Sequence, residues 1–202
     1  MANKDHTLDP LIVDAARAEF LEYGYQKASL HRIAERAGTT TGALYTRYKG
    51  KDDLFCSLVQ PLLVEIAAQV APMEAVYRKA YQTHQAEDIL SAIRLEEKIY
   101  LDLLFQHYDE CVLLYCKSAG SSLEEKMNEM MNAKAHQSAE FFRRAAKREI
   151  DFNGIEPVII QQFYCYRMVL QRGYTREEAV SCMKTVALFQ EAGWKAILST
   201  IL

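Results

Sequence analysis

The sequence has few residues that interrupt helices, with 8 glycines and 4 prolines among 202 residues. So low a content favours helices, and the half of the residues that are apolar excludes a mainly disordered chain. No uninterrupted apolar run approaches the roughly 18–20 residues that a membrane span requires. The N-terminal segment MANKDHTLDP also lacks the apolar core of a signal peptide. These absences predict a cytoplasmic protein with no membrane partner.

Cysteine pairs of the C-x-x-C type are absent as well. The five cysteines are an odd number, and each lies among apolar neighbours: Cys56, Cys111, Cys116, Cys165 and Cys182. This pattern predicts reduced cysteines that mostly serve as small buried apolar residues. A redox-sensing role for Cys111 and Cys116 is the alternative, although helix residues five positions apart point in different directions.

The sequence also lacks the short motifs of common enzymes and metal sites. No H-E-x-x-H, G-x-S-x-G, P-loop or G-x-G-x-x-G pattern occurs, and the five histidines show no metal-ligand spacing. His107, beside Tyr108 and two acids, is interpreted as a helix-end histidine rather than a catalytic base. We therefore expect no enzymatic activity, no metal and no cofactor, with a helical enzyme carrying an incidental basic segment as the alternative.

Charge is unevenly distributed along this half-apolar chain. The net charge of −3 by itself argues against nucleic-acid binding. However, residues 26–51 contain six lysines and arginines and a single acid, whereas residues 56–202 contain 16 basic and 19 acidic residues. A compact basic segment attached to an acidic body is typical of a DNA reader with a separate second domain. A solvated basic face is the alternative.

Helix signals in the first 50 residues predict three helices. The buried face of the first helix is predicted at Ile12, Ala16 and Phe20. Ser29 is a good N-cap for a second helix of about two turns. Gly38 can adopt a positive φ, and Thr40 can cap a third helix over residues 41–48. Two short helices joined by a tight turn with a glycine form a helix-turn-helix.

The outward face of the third helix carries small or hydrogen-bonding side chains and no acid: Thr41, Gly42, Tyr45, Thr46 and Arg47. A surface helix of a generic bundle usually carries charged residues at such positions, so this face predicts entry into a DNA major groove. Lys51 opens a fourth helix, and a lysine at a helix N-terminus is favourable where a phosphate also binds.

These residues together form a family pattern. Ile33-Ala34-x-x-Ala37-Gly38, followed by Gly42-x-Leu44-Tyr45-x-x-Tyr48-x-x-Lys51-x-x-Leu54, resembles the DNA-binding module of TetR/AcrR-type transcriptional regulators over about residues 8–56. The chain departs from that pattern twice. Thr41 stands where lysine is frequent, which leaves the preferred operator open, and Tyr48 conservatively replaces phenylalanine.

The resemblance implies a set of DNA contacts: Ser29, His31, Thr40, Thr41, Gly42, Tyr45, Thr46, Arg47 and Lys51. By resemblance, the two caps, the Tyr45 hydroxyl and Lys51 contact phosphates. The other residues of the third helix face base edges or the adjoining backbone, and His31 lies at the rim, on the second helix. Two alternatives stay open, since Tyr45 could be a half-buried core aromatic and His31 a solvent-exposed helix residue.

The rest of the chain is predicted as a helical body, so that the fold class is all-α. We expect a helix-turn-helix domain over residues 1–50 and a ligand-binding and dimerisation domain over residues 51–202. Helices are predicted over 51–70 with a kink at Pro61, and over 87–106, 109–117, 122–148 and 155–171. Thr175, followed by Glu178, predicts a capping box for the last helix.

Two further sets of residues are predicted in the body. An apolar pocket for a ligand is predicted at Tyr100, Phe105, Tyr108, Tyr115, Met127, Met131 and Phe141, with ordinary core packing as the alternative. The last two helices are predicted to form a four-helix interface with a second copy, through Phe163, Arg167, Met183, Val186, Gln190 and Trp194.

The resemblance implies a homodimeric regulator that binds a palindromic, double-stranded DNA operator. It implies repression that is relieved by a small, largely apolar effector in the body. An activator, or a regulator without an effector, would share this fold and is the alternative.

Overall fold

A computed structural model describes residues 8–146 and 154–202 of the chain. In these ranges, it contains ten helices and no strand. They are α1 (Leu8–Lys27), α2 (Leu30–Arg36), α3 (Thr41–Tyr45), α4 (Lys51–Val70), α5 (Met73–Thr83), α6 (Ala86–Gln106), α7 (Tyr108–Cys116), α8 (Ser122–Ala145), α9 (Ile155–Gln171) and α10 (Arg176–Ile201). The predicted fold class is therefore confirmed.

The chain divides into two compact units. Unit 1 comprises residues 1–63 and 108–126, and unit 2 comprises residues 64–107 and 127–202. The chain passes from unit 1 to unit 2 twice, after residue 63 within α4 and after residue 126 within α8. The domain boundary near residue 51 stays a prediction.

Unit 1 is built around an apolar centre contributed by α1 to α4 and α7. The three predicted core positions of α1, Ile12, Ala16 and Phe20, have no exposed surface. Phe20 contacts Phe55 edge to face, with ring centroids 4.9 Å apart. Gly24 has a φ of 72°, outside the helical region, and ends the regular part of α1.

Unit 2 has its own hydrophobic centre. It is formed mainly by residues of α5, α6, α8, α9 and α10, among them Tyr81, Ile89, Phe142, Ile159 and Trp194. Phe142 and Trp194 stack with their ring centroids 5.1 Å apart. The predicted capping box is confirmed, because Thr175 accepts from the Glu178 N–H and the Glu178 carboxylate accepts from the Thr175 N–H.

Some predicted bounds were wrong. Helix α3 ends at Tyr45 instead of residue 48, and the backbone turns more tightly there, because the Arg47 N–H donates to the Leu44 carbonyl at 2.9 Å. The Thr46 hydroxyl and the Arg47 guanidinium both donate to the Ala43 carbonyl. Helix α5 was not predicted; it ends at Thr83, and its C-cap His84 has a left-handed φ of 52°. Helix α4 continues through Pro61. The predicted end of α8 at residue 148 lies outside the described residues.

One stretch, residues 51–83, contains a window apolar and long enough to cross a membrane by composition. Polar residues interrupt this window, so it contains no uninterrupted apolar run. Its side chains Leu54, Phe55, Leu58 and Leu62 are buried in the protein interior. The core helix of a globular protein satisfies the same length and composition criterion.

Candidate nucleic-acid interface and ligand cavity

The turn between α2 and α3 is fixed by local hydrogen bonds. Ser29 and Thr40 cap their helices as predicted, with the Thr40 hydroxyl accepting from the Ala43 N–H at 3.2 Å. Gly38 has a φ of 65°, and its N–H donates to the Glu35 carbonyl at 3.1 Å. A positive φ strains residues that carry a Cβ, so glycine suits this turn.

The outer face of α3 is exposed and free of acids. Tyr45 is 59% exposed, which excludes the half-buried alternative for this side chain. His31, Thr40, Gly42 and Thr46 are also exposed, and Thr41 is partly exposed. A Cβ added at Gly42 would meet only the Thr40 hydroxyl, at 3.7 Å. The face is therefore open to a close approach by another molecule.

Arg47 lies elsewhere than the sequence predicts. Its side chain is only 7% exposed, its Nε donates to the Asp9 carboxylate at 2.6 Å, and an Nη donates to the Ala43 carbonyl at 3.1 Å. These contacts join α3 to the start of α1. Since a guanidinium with such partners must leave them to reach a base edge, we interpret Arg47 as a structural residue of unit 1.

Lys51 is half-buried beside the end of α1. Its ammonium group donates to the carbonyls of Gln26 and Ala28, at 3.2 and 3.3 Å, and lies 4.6 Å from the centre of the Tyr25 ring. Ser29 is partly buried at its cap position. The contacts of Lys51 and Ser29 with DNA phosphates stay predictions.

A buried carboxylate holds α2 against α1. Glu19 has no exposed surface and accepts from the Arg32 Nε at 2.8 Å and from the Ser29 N–H at 2.9 Å. Burial alone would raise the pKa of Glu19, but the hydrogen bonds from Arg32 and Ser29 outweigh it and lower the pKa. The position of α2 therefore depends on an ionised Glu19.

Several cavities adjoin one another in unit 2, among them a wide one of about 320 Å³ lined by Arg78, Tyr81, Gln82, His84, Phe141 and Arg144. The inner cavity has a volume of about 40 Å³, and seven aromatic side chains line it: Tyr77, Tyr81, Tyr100, Phe142, Phe163, Tyr166 and Trp194. The outer cavity has a volume of about 170 Å³. Four residues line both cavities, namely Tyr77, Tyr81, Lys134 and Ser138.

An ion pair lies in the wall of the inner cavity. Glu96, 8% exposed, accepts from the Lys134 ammonium at 2.7 Å and from the Tyr77 hydroxyl at 2.6 Å. Burial and the neighbouring Glu96 raise the pKa of Tyr77 well above its ordinary value, so that its hydroxyl stays a donor. Over residues 8–146 and 154–202, no group of three potential metal-ligating side chains is found.

Two more polar groups lie near this pair. The Tyr166 side chain is 2% exposed, and its hydroxyl has no hydrogen-bond partner within the part of the chain that the structure describes. Gln162 lines the inner cavity and donates to Glu97 at 3.0 Å. Burial and the charge of Glu96 raise the pKa of Glu97 to about 7.

The predicted pocket residues are dispersed in the structure. Tyr100 lines the inner cavity and Phe141 the outer one. The other five line neither of these two cavities: Phe105, Tyr108, Tyr115, Met127 and Met131. Tyr108 and Tyr115 lie on α7 in unit 1. Aromatic and methionine content alone does not show which helix face a cavity adjoins.

The predicted interface residues are also dispersed. Trp194 and Met183 are 5% and 7% exposed, so each is buried inside one chain and presents little surface to a second copy. Phe163 lines the inner cavity, while Val186 and Gln190 are partly buried and Arg167 is exposed. The sequence reading missed the exposed apolar side chains of these helices, which are Tyr164, Leu188 and Phe189, at 57%, 72% and 75% exposure.

Sequence reasoning also missed the polar groups of the cavity, Glu96, Lys134, Tyr77 and Tyr166. Glu96 and Lys134 lie 38 positions apart on different helices, so no local pattern joins them. Buried charges occur in pairs, and a charged residue at a core-facing helix position is the signal that could have marked each of them.

Comparison with known families identifies a match in unit 1. Residues 12–58 match the model of the family described as bacterial regulatory proteins, tetR family. The HTH-type transcriptional repressor Rv1474c of Mycobacterium tuberculosis is 39% identical over 57 residues, which are 28% of this chain and 30% of that protein. The stretches matched in the curated relatives span between 24% and 58% of those proteins.

Solved structures extend the likeness to nearly the whole fold. A TetR-like transcriptional regulator from Rhodococcus sp. RHA1 superimposes with a TM-score of 0.59 at 18% identity, over 92% of this chain and 96% of that one. The regulator FadR from Bacillus subtilis, in complex with stearoyl-CoA, gives 0.54 at 18% identity, over 96% and 100%. At these identities the likeness shows a shared fold.

Proposed function

We propose that this chain, whose residues 12–58 match the model of the tetR family of bacterial regulatory proteins, is a transcriptional regulator of TetR type that binds a palindromic DNA operator as a homodimer. Bound to the operator, it represses transcription. A small, largely apolar effector that occupies unit 2 releases it from DNA. The protein acts in the cytoplasm, where the operator is.

The observation that carries the proposal is the exposed, acid-free face of α3. Its neutral donors and acceptors, Thr40, Tyr45 and Thr46, surround a glycine whose backbone is open to close approach. Hydroxyl groups can bond phosphates and base edges, whereas a carboxylate on this face would repel the duplex. Lys27, Arg36 and Lys49 add positive charge to the same unit, at exposed positions.

The homodimer is supported by the exposed apolar side chains of α9 and α10. Leu188 and Phe189 lie in the middle of α10 and are about three-quarters exposed. Large exposed apolar side chains close together mark an interaction surface. We therefore place the dimer contact on Tyr164, Leu188 and Phe189 rather than on the buried Trp194.

The proposal of an effector is supported by the inner and outer cavities of unit 2. FadR from Bacillus subtilis is described in complex with stearoyl-CoA, and the Bacillus subtilis fatty acid metabolism regulator protein is 25% identical to this chain over 122 residues. One regulator of this fold thus binds a molecule with a long apolar acyl chain and a charged coenzyme A group. In this chain, the aromatic lining of the inner cavity favours a ligand that is mostly apolar.

Binding-site selection with random duplexes tests the proposal. We expect a palindromic site with two half-sites, bound by the dimer with an affinity that falls on the order of a thousandfold between about 50 and 200 mM salt. Weak binding that is insensitive to both sequence and salt would contradict it. In vitro transcription from the selected site then distinguishes a repressor from the activator alternative.

The dimer is tested separately by light scattering. Phe189→Asp is expected to yield a monomer that binds the selected duplex at least about tenfold more weakly, because one half-site engages too few contacts. Lys184→Asp, at an exposed polar position of the same helix, is the control and should remain a dimer. A dimeric Phe189→Asp variant would exclude this surface.

A further inference from the structure

The wide cavity of unit 2 is lined by basic side chains. Arg78 lies on α5, His84 is the C-cap of the same helix, and Arg144 lies on α8. Among the described residues, no aspartate or glutamate lines this cavity. Guanidinium and imidazole groups are hydrogen-bond donors, and their bonds to carboxylate and phosphate oxygens are stronger than bonds between neutral groups. The lining of the wide cavity therefore favours an anionic group.

The three basic groups differ in their partners. Arg78 donates to the Glu74 carboxylate at 2.6 Å, so its charge is largely neutralised within α5. Within residues 8–146 and 154–202, neither Arg144 nor His84 forms an ion pair with an acid. An anion in the wide cavity is therefore placed against Arg144 and His84.

The backbone of His84 is a second, independent observation at the same cavity. His84 has a φ of 52° and a ψ of 27° at the end of α5. In the described ranges, it is the single residue other than glycine with a positive φ. Glycine adopts this left-handed conformation at lower cost and is the usual residue at such a helix end. Backbone strain of this kind clusters at ligand sites, and here it places an imidazole at the cavity.

An aromatic wall leads inward from the basic groups. Tyr81 and Phe141 line both the wide and the outer cavity, and their rings stack with centroids 5.4 Å apart and planes 6° apart. Tyr77 and Val70 continue this apolar surface in the outer cavity. A ligand whose charged group lies in the wide cavity can thus bury an apolar tail beside these side chains.

The acids of the neighbouring cavities do not oppose such a ligand. Glu74 lines the outer cavity and accepts from Arg78, and Glu96 lines the inner cavity and accepts from Lys134 at 2.7 Å. Each acid thus has its own cationic partner. The charges cancel along the inner and outer cavities, while the wide cavity keeps an excess of positive charge.

We propose that unit 2 binds an anionic amphiphile, a molecule with a carboxylate or phosphate head group and an apolar tail. The head group bonds Arg144 and His84 in the wide cavity, and the tail passes Tyr81 and Phe141 into the outer cavity. The inference deepens the proposed function and rests on it only in that this ligand is also the effector.

Four probes with the same decyl-length chain test the head group with the full-length protein: decanoate, decyl phosphate, decanol and decylammonium. Isothermal titration calorimetry, at concentrations that do not form micelles, measures the affinities. We expect at least one anion to bind about tenfold more tightly than decanol and decylammonium, because only an anion bonds both basic groups. The tighter anion identifies the head group. Decanol or decylammonium binding as tightly as both anions would overturn the proposal.

A shorter chain and a filled cavity test the tail. Hexanoate should bind at least about tenfold more weakly than decanoate, because it buries fewer methylene groups. Ser138→Leu, which enlarges a side chain in the lining of the outer cavity, should weaken decanoate about tenfold and leave hexanoate unchanged. Equal affinities of the two acids, or wild-type decanoate affinity in Ser138→Leu, would exclude the outer cavity as the tail site.

Arg144→Gln tests the head-group contact. It should weaken the tighter anion about tenfold and leave decanol unchanged, since one charge-assisted bond is lost. Arg143→Gln is the matched control, because Arg143 is also exposed but pairs with Glu140 and does not line the wide cavity. Equal losses in the two variants would show that general surface charge, and no specific contact, attracts the anion.

His84→Gly separates binding from stability. Glycine relieves the left-handed backbone, so the melting temperature should stay the same or rise. Affinity for the tighter anion should nevertheless fall about fivefold, because the imidazole is lost. Wild-type affinity in His84→Gly would show that this side chain does not hold the head group.

DNA-binding anisotropy separates this inference from the proposed function. If the tighter anion binds unit 2 and releases the selected duplex, both stand. If it binds without releasing the duplex, the ligand class stands and the effector role fails. If the duplex binds and neither anion does, the ligand class is wrong and DNA recognition stands.

Discussion

Each unit of the molecule buries a carboxylate, and the two differ in what surrounds them. In unit 1, Glu19 accepts from a guanidinium and a backbone N–H, and these bonds fix α2 against α1. In unit 2, Glu96 accepts from Lys134 and Tyr77 in the wall of a cavity. Glu19 thus fixes the position of a helix, while Glu96 lines a cavity that a ligand can occupy.

Buried carboxylates therefore have different roles in the two units. Glu19 accepts hydrogen bonds from Arg32 and Ser29 through Oε1, while its Oε2 has no partner among the described residues, and its removal therefore changes stability and helix position. Glu96 belongs to a neutral pair whose other neighbours include the unpartnered Tyr166 hydroxyl. Its removal changes both stability and the charge presented to the cavity. Variants that separate these effects test the comparison.

The largest effect is expected when the pair in unit 2 is broken. Lys134→Met should destabilise the protein by about 3–5 kcal/mol, because Glu96 is left as an unpaired buried charge. Adding Glu96→Leu should restore most of the loss, since an apolar pair of similar volume needs no counter-charge. Urea denaturation measures both. A double variant as unstable as the single one would contradict the assignment of this pair.

In unit 1, Glu19→Gln should cost about 2 kcal/mol, from the lost charge-assisted hydrogen bonds to Arg32. The affinity for the selected duplex should also fall, because α2 is no longer held against α1 by these hydrogen bonds. Denaturation and DNA-binding measurements on the same preparation check both. Exposed Glu22→Gln on the same helix is the control, and an equal effect there would refute the role of Glu19.

Arg47→Ala sharpens the distinction between structural and DNA-contacting residues within unit 1. We expect a loss of about 1–2 kcal/mol in stability, since the ion pair with Asp9 and the bond to Ala43 are lost. Binding-site selection should return the wild-type sequence preference. A changed preference at one or two positions would restore Arg47 as a reader of bases.

The units should respond to pH in opposite directions. The pKa of Glu19 is lowered on folding, so its contribution to stability is lost as the pH falls through that lowered pKa. The pKa of Glu97 is raised from 4.5 to about 7, so the native state loses stability as the pH rises between these values. Glu97→Gln should therefore raise the melting temperature at pH 8 and change it little at pH 4. An equal change in melting temperature at pH 4 and pH 8 would contradict the raised pKa of Glu97.

The sequence predicted the features that depend on neighbouring residues. The caps at Ser29 and Thr40, the positive φ of Gly38 and the capping box at Thr175 are local, and all are confirmed. The sequence did not predict contacts between distant helices. The Arg47–Asp9 pair spans 38 positions, as does the Lys134–Glu96 pair. Exposed apolar residues on α10 were missed because Leu188 and Trp194 look equally apolar in sequence.

The most direct test of DNA recognition by α3 is the affinity of Gly42→Ala for the selected duplex. A Cβ at Gly42 meets no clash in the free protein, and alanine favours a helix over glycine by up to about 1 kcal/mol. We predict unchanged or higher stability together with at least about tenfold weaker binding, because the methyl group holds α3 away from the DNA. Gly154→Ala, which also has open space around its Cβ, is the control and should bind like the wild type. Wild-type affinity in Gly42→Ala would contradict the placement of α3 against DNA.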